Sequence, residues 1–316
     1  MDLINFFKNY GTVESCELHF KLQREKEGVI CKKCEGKKHY WLGSKNQWQC
    51  ASCGFRTTLR SGTIMENSKF NLHIWYTAMY LICLTKKGIS CTELQRKLGL
   101  TRYQSTLFLY HRIRQAMGNR DNSYILNGMV ELDEGYFKVE RSAFKKSKTK
   151  AGRGSTDVQP VAVMAESTPL EKENGFVSNH CGYYKLKVLE NHEAEKINEL
   201  VSKNLTEDVI IFSDESTSYT DLASLVEGHI SEKSSEQTTK KLLRWVHIAI
   251  GNARRVFNGI YQKISRKYLQ LYLDEFCYKL NRRYFGNKLF DRLALACAVT
   301  IGKVTWYQIH NLKNPD

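Results

Sequence analysis

Proline is scarce in this chain, three residues in 316, far below the usual share of about 5%. That scarcity excludes long Pro-rich linkers and predicts closely coupled domains. No apolar run approaches the roughly 20 residues that a helix needs to cross a bilayer, so membrane-spanning readings fall away and no membrane partner is expected. The opening MDLINFFKNYGTVE lacks a basic segment leading into an apolar core and a small-residue cleavage site, so it does not read as a secretory signal. A cytoplasmic location is the expectation. Acid is also in deficit: 33 Asp and Glu stand against 48 Lys and Arg, a formal net charge of +15. With 42% hydrophobic residues the chain has enough apolar material for real cores. A positive surplus on a folded chain of this kind points to a polyanionic partner, nucleic acid first.

What is present falls into segments. Residues 1–30 read as a helical lead-in, with Leu3, Ile4, Phe6 and Phe7 on a short amphipathic helix followed by a polar stretch and by the apolar pair Leu18 and Phe20. Residues 31–64 are short, polar and rich in Gly, Cys and aromatics. Within 65–120, an apolar helix carrying Trp75, Tyr76, Met79 and Tyr80 precedes two more: SCTELQRKLG, capped by Ser90 or Thr92 and stopped by Gly99, and RYQSTLFLYHRIRQAM. Two helices joined by a tight Gly-containing turn are the signature of a helix-turn-helix. From 125 to about 300 the pattern becomes that of an α/β domain. GMVELDEGYFKVE, VQPVAVMAE and YYKLKVLE alternate as strands, a helix covers 191–204, DVIIFSD is a short buried strand, and SYTDLASLVE reads as a further helix. SEKSSEQTTKK is a polar loop, helices then start near Trp245, Ser265 and Leu289, and residues 301–316 form a tail. There is no internal repeat.

The ten cysteines do not form a disulfide scaffold, which a chain this size does not need; a reduced compartment fits them better. Four stand as two knuckles, Cys31-Lys-Lys-Cys34 and Cys50-Ala-Ser-Cys53. Each knuckle puts two sulfurs on one tight turn and the intervening hairpin brings the pairs together, so the spacing predicts a zinc ribbon. A closed four-cysteine site makes that zinc structural. The alternative, two separate redox pairs, lacks a thioredoxin-like context. His39 is read as a surface residue, and Cys16, Cys83, Cys91, Cys181, Cys277 and Cys297 as buried free thiols. Two carboxylates also stand out. Asp133 lies mid-strand on the side opposite Val130 and Leu132, and Asp214 ends the apolar run VIIFS. Acids at strand ends are where α/β sheets build sites, and two on neighbouring strands could share divalent cations for phosphoryl transfer. A turn Asp and an edge-strand Asp are the plain alternative.

The segment HIAIGNARRVFNGIYQKISRKYLQLYLDEFCYKLNRR resembles the C-terminal part of the catalytic domain in zinc-ribbon insertion-sequence transposases of the DDE superfamily, bacterial relatives of Merlin transposons. Ordered short matches accompany it: the two knuckles, Ser61-Gly62-Thr63, KKGIS through LG at 86–99, His111 to Arg114, Val130 to Tyr136, Gly152-Arg153-Gly154, and Asp214 with Tyr219. The resemblance spans about 31–292. It implies an N-terminal zinc ribbon plus helix-turn-helix, α+β overall, with a ribonuclease H-like catalytic core and C-terminal helices. It also implies an enzyme that binds the terminal inverted repeats of its insertion sequence and catalyses metal-dependent DNA cleavage and strand transfer, with magnesium or manganese held by Asp133, Asp214 and a third residue. The sequence departs from the family pattern here: His247 stands where relatives carry Glu, with Asn252 as the other choice for the third position. An imidazole removes one negative charge and favours manganese. Partners are double-stranded DNA, as element end and target, and a homodimer or larger assembly, since two ends must be paired. DNA contacts are expected from Lys32 and Lys33 on the ribbon, Arg102, Arg112 and Arg114 on the helix-turn-helix, Arg153 in the loop KKSKTKAGR, Arg254 and Arg255 beside the third position, and Arg266 and Lys267 after it. Two rivals remain: a non-catalytic DNA-binding regulator derived from a transposase, and a structured-RNA nuclease on the same core.

Overall fold

The computed structural model describes residues 1–140, 157–171, 177–190, 194–216, 219, 221–233, 235, 242–262 and 264–302, with the side chains of 168–171 and 177–179 left out. The loop KKSKTKAGR with Arg153 and the Gly152-Arg153-Gly154 match lie outside the described residues. The chain divides into two compact units, Met1–Arg120 with Arg282–Asp316, and Asp121–Asn281.

In the first unit, helix α1 (Leu3–Tyr10) starts where the Asp2 carboxylate accepts the Asn5 amide, and α2 (Val13–Glu27) starts in a reciprocal Thr12/Ser15 capping box. The polar stretch and the apolar pair Leu18 and Phe20 thus lie on a second helix, which buries Phe20 with Cys16 but leaves Leu18 exposed, and so shows little apolar periodicity. The ribbon follows as a three-stranded antiparallel sheet of β1 (His39–Leu42), β2 (Gln47–Cys50) and β3 (Arg56–Thr58). Helix α3 (Leu72–Leu84) is capped by Asn71 and α4 (Cys91–Lys97) by Ser90, and Gly99 at φ +63° allows the left-handed turn into α5 (Tyr103–Asn122). The core is aromatic. Phe6 stacks on Tyr80 at 4.1 Å between ring centroids, and Phe290 meets Phe6, Tyr10 and Tyr76 edge-on or tilted.

Phe290 belongs to the last helix among the described residues, α9 (Leu289–Val299), which packs against α2 and α3. The boundary expected near 300 thus moves to Asn281, because Phe290, Leu293, Ala294 and Cys297 form a buried stripe that completes the N-terminal core. α5 also differs from a solvent-facing recognition helix. Residues 106–118 are buried throughout, and its exposed residues are Tyr103 at its start and Asn119, Arg120 and Asn122 at its end.

The second unit is built on a five-stranded sheet of β4 (Met129–Lys138), β5 (Val158–Glu171), β6 (Val177–Val188), β7 (Ile210–Asp214) and β8 (Gly228–Glu232), in the order β6-β5-β4-β7-β8. The β4, β5 and β6 pairings are antiparallel and the β4/β7 and β7/β8 pairings parallel. This is the ribonuclease H-like arrangement that the resemblance implies. Alternation along β4 feeds both faces. Val130 and Leu132 join Ala162, Met164 and Ile211 under α6 (Ala194–Asn204). On the other face Phe137 joins Val161, Val163 and Ala165 beneath α7 (Arg244–Val256) and α8 (Leu269–Asn281). Among the described residues, the segment expected as a helix after Asp214 shows a 3-10 turn at Leu222–Ser224, and the edge strand β8 follows; its pattern is exposed at Ser231 and Glu232, leaving little apolar signal to read.

Candidate metal centre and acidic site

The two knuckles close on one another. Cys31 Sγ lies 3.6 Å from Cys53 Sγ and Cys34 Sγ 3.5 Å from Cys50 Sγ, and all four sulfurs fall within 4.8 Å of one another. Four thiolates at about 2.3 Å from one zinc ion stand about 3.8 Å apart at tetrahedral angles, so the donor set fits that ion. The backbone prepares it. The Gly54 amide donates to Cys50 O, the Cys31 amide donates to Gly36 O, and a Cβ at Gly36 would come within 3.2 Å of Cys50 Sγ. Amides of Cys53 and Ser52 push the Cys50 thiol down to about 6, favouring the thiolate that a metal needs. His39 pairs with Cys50 across the β1/β2 ladder but is not among the four donors.

The acids come together through strand register. β4 and β7 pair in parallel as Met129↔Ile210, Val130↔Ile211 and Glu131↔Phe212; two residues further, the same register sets Asp133 level with Asp214. Residues level across a parallel ladder share a face, and adjacent strands lie about 4.8 Å apart. Phe212 packs in the core under α7, so Asp214, two residues on, shares the α7 face with Asp133. Burial pushes the Asp133 carboxyl up to about 6, the charges of Asp214 and Glu134 adding to the rise while the Glu134 amide and His247 oppose it. Asp214 Oδ1 is buried and accepts no hydrogen bond among the described residues. Two facing carboxylates, one carrying an orphaned oxygen, suit a divalent cation.

The expected third residue, His247, is on α7, which runs beside β4. His247 Nε2 stands 3.5 Å from Asp133 Oδ2. Asn252, five residues along, accepts instead from the Arg255 guanidinium. Among the described residues only the four cysteines bring three or more such donors within 4.8 Å of each other, so Asp133, Asp214 and His247 are neighbours in a more open arrangement. Tyr219, matched on resemblance alone, is 2% exposed, and its hydroxyl is pushed far up by burial and by the charges of Glu134, Asp133 and Asp214. Glu131 was not singled out by sequence reasoning. Its carboxylate accepts the amides of Trp245 and Val246 at the start of α7, and the only sequence signal was an acid at an inward position of an alternating strand.

The expected DNA contacts divide by exposure. Arg102, Lys32, Lys33, Arg254, Arg255, Arg266 and Lys267 are exposed. Lys32 pairs with Glu66 at 2.8 Å, Arg254 Nε donates to Tyr136 O and Arg266 donates to Gln159 Oε1. Arg112 and Arg114 are corrected: they are 7% and 0% exposed. Arg112 donates to Ile64 O at 2.6 Å and Glu66 O at 2.7 Å, and Arg114 lies 3.7 Å over the Tyr110 ring. Both serve the interior of their unit, because a guanidinium on a buried helix face finds carbonyls and rings in place of phosphate.

Residues 125–281 match the sequence family described as ISXO2-like transposase domain. No curated protein sequence matches the chain. Among solved structures, the chain is similar to the Mos1 strand transfer complex at 14% identity, covering 73% of this chain and 78% of that one, with a TM-score of 0.28. It is similar to the Mos1 mariner paired end complex with Mn at 14% identity, 69% and 74% coverage and a TM-score of 0.28. For the corresponding complex with Mg the values are 13%, 72%, 79% and 0.24. Likeness at such scores is remote and assigns no residue of the site.

Proposed function

Because its 125–281 segment makes this chain a member of the insertion-sequence transposases of the DDE superfamily, we propose that it binds the terminal inverted repeats of its own element and cuts and joins DNA there. The observation that carries this reading is the meeting of Asp133, Asp214 and His247 at one end of the β4/β7 ladder. Asp133 and Asp214 would hold magnesium or manganese with His247, and such ions supply Lewis-acid stabilisation of phosphate charge and a more acidic water or 3′-hydroxyl. The chain's own part is to fix the two carboxylates side by side on rigid strands, to set an imidazole against one of them, and to bring phosphate in along exposed cations. Arg254, Arg255, Arg266 and Lys267 are the cations of this unit that we assign to the DNA path, and Arg102 and Lys33 those of the first unit. The four cysteines would hold a structural zinc. Pairing of two ends calls for a dimer or larger assembly on DNA.

The test is nicking of DNA that contains the element's ends, in magnesium or manganese. Wild type should nick, and Asp133→Ala and Asp214→Ala should lose at least about a thousandfold in rate while still binding, as expected when metal-held charge stabilisation is removed. His247→Ala should lose activity where Asn252→Ala keeps most of it; the opposite result would move the third position to Asn252. Wild-type binding with no nicking in either metal would leave a regulator in place of an enzyme.

A further inference from the structure

Helix α7 begins without a cap of its own. The residue at its N-cap is Leu243, which has no side-chain acceptor, and its first turn contains no acid. The first amides of any helix need an outside partner, and leaving them unpaired in a buried place is costly. Here the partner comes from the sheet. Glu131 is 2% exposed, and a single oxygen, Oε2, accepts the Trp245 amide at 2.6 Å and the Val246 amide at 3.0 Å. A carboxylate there also complements the positive end of the helix. The next residue is His247, whose amide makes one of the first hydrogen bonds of the helix, to Leu243 O at 3.2 Å. The imidazole that faces Asp133 is thus carried by the turn that Glu131 anchors.

The remainder of α7 touches β4 in ways that leave this end in need of a pin. Gly135 brings the helix close, since a Cβ there would lie 3.2 Å from Ile250 Cγ1, and Arg254 Nε reaches Tyr136 O at 3.2 Å near the other end. Those contacts lie beyond His247 along the helix, and Glu131 secures the side before it. We propose that Glu131 is a positioning residue of the acidic site: by holding the Trp245 and Val246 amides it fixes the first turn of α7 and thereby the approach of His247 to Asp133. The role rests on the reading of Asp133, Asp214 and His247 as a metal site. Glu131 itself touches neither substrate nor cation; it acts through His247.

The experiment uses the full chain and manganese chloride as the probe, with calorimetric titration of the ion, amide exchange at Trp245, Val246 and His247, and thermal unfolding to confirm a folded state. In Glu131→Ala the exchange at Trp245 and Val246 should rise about tenfold or more, as unpaired amides open. Manganese affinity should fall to the level of His247→Ala. Glu131→Gln keeps an oxygen able to accept both amides, so it should stay within about threefold of wild type. Glu131→Asp keeps the charge but withdraws the acceptor by one methylene, and should bind manganese more weakly than Glu131→Gln. In a His247→Ala background, Glu131→Ala should have no further effect on manganese, the mark of a residue acting through another. The proposal is overturned if Glu131→Ala binds manganese as wild type does, if it weakens binding equally in both backgrounds, or if Glu131→Gln is as impaired as Glu131→Ala. Failure of the parent reading looks different: wild type, Asp133→Ala and His247→Ala would then all bind manganese alike, while amide exchange at Trp245 still responds to Glu131→Ala.

Discussion

A cysteine at the second knuckle and an arginine on α5 show how much a residue's role depends on what surrounds it. Cys50 is pushed down to about 6 by amides of its own knuckle, so its thiolate is ready to hold metal near neutral pH. Binding of the ion by the folded ribbon is folding free energy for that ribbon. Cys50→Ser, or removal of metal by a strong chelator, should therefore unfold 31–58 with loss of about one zinc per chain, read by metal analysis and by proton chemical shifts of Trp41 and Trp48. Those rings meet at 4.9 Å between centroids and would separate. Arg112 carries the opposite lesson. It looked like a phosphate contact and instead ties Ile64 O and Glu66 O to α5. Arg112→Ala should cost roughly 2–4 kcal/mol in unfolding free energy and leave the salt dependence of DNA binding unchanged. Arg254→Ala should instead lower the slope of log K against log salt by about 1 with little effect on stability. Equal slopes for the two variants, in titrations at several salt concentrations, would refute that division.

At the scale of elements, β6, an edge strand of its sheet, holds a buried lysine. Lys185 is 3% exposed and donates to Asn204 Oδ1 at 3.1 Å. Burial, with Lys187 adding to it, lowers its ammonium from the usual 10.5 to about 8. A depressed folded value means that stability linked to this group is complete above about 10.5 and is lost as pH falls through about 8, because the folded chain resists the proton that the unfolded chain accepts. Lys185→Met should accordingly raise the unfolding free energy at pH 7 by about 2 kcal/mol and bring almost no gain at pH values above 10.5. Chemical denaturation of the two proteins across that range measures it. Helix α7 is the other informative element. Its apolar stripe of Val246, Ala249, Ile250 and Ala253 was readable as periodicity, but its depth against β4 is set by Glu131, Gly135 and Tyr136. None of those partners is adjacent to it in sequence.

The whole molecule is two units, one of them discontinuous, since the chain leaves the first unit at Arg120 and returns to it at Arg282. Its aromatic core is completed by Phe290, which lies far along the chain from Phe6, Tyr10 and Tyr76. A chain ending at Asn281 would keep every strand and helix of the second unit but open this core. Amides of α3 should then lose protection by about 3 kcal/mol or more, the cost of removing a buried aromatic and its neighbours. Amides of β4 should keep theirs. Hydrogen exchange followed element by element distinguishes this from uniform loss. No helix among the described residues is long and apolar enough to cross a membrane. The surplus of +15 stays on a protein whose exposed cations include Arg102, Lys33, Arg254, Arg255, Arg266 and Lys267.

By itself the sequence determined what depends on short spacing. Two knuckles of paired cysteines, the alternation of β4, the acid closing an apolar strand and the helix stop at Gly99 are each a few residues long, and local geometry allows them few outcomes. Tertiary structure decided what depends on which distant residues meet. It set Asp133 level with Asp214 through an 81-residue register shift between β4 and β7, turned His247 rather than Asn252 toward Asp133, and sent Arg112 and Arg114 inward. It also assigned α9 to the N-terminal unit and gave α7 its cap from a strand more than a hundred residues earlier. The physical reason is common to these cases. A helix face or a charged side chain can be satisfied in several ways, and only the closing of the core selects the partner that excludes water and leaves the fewest polar groups unpaired.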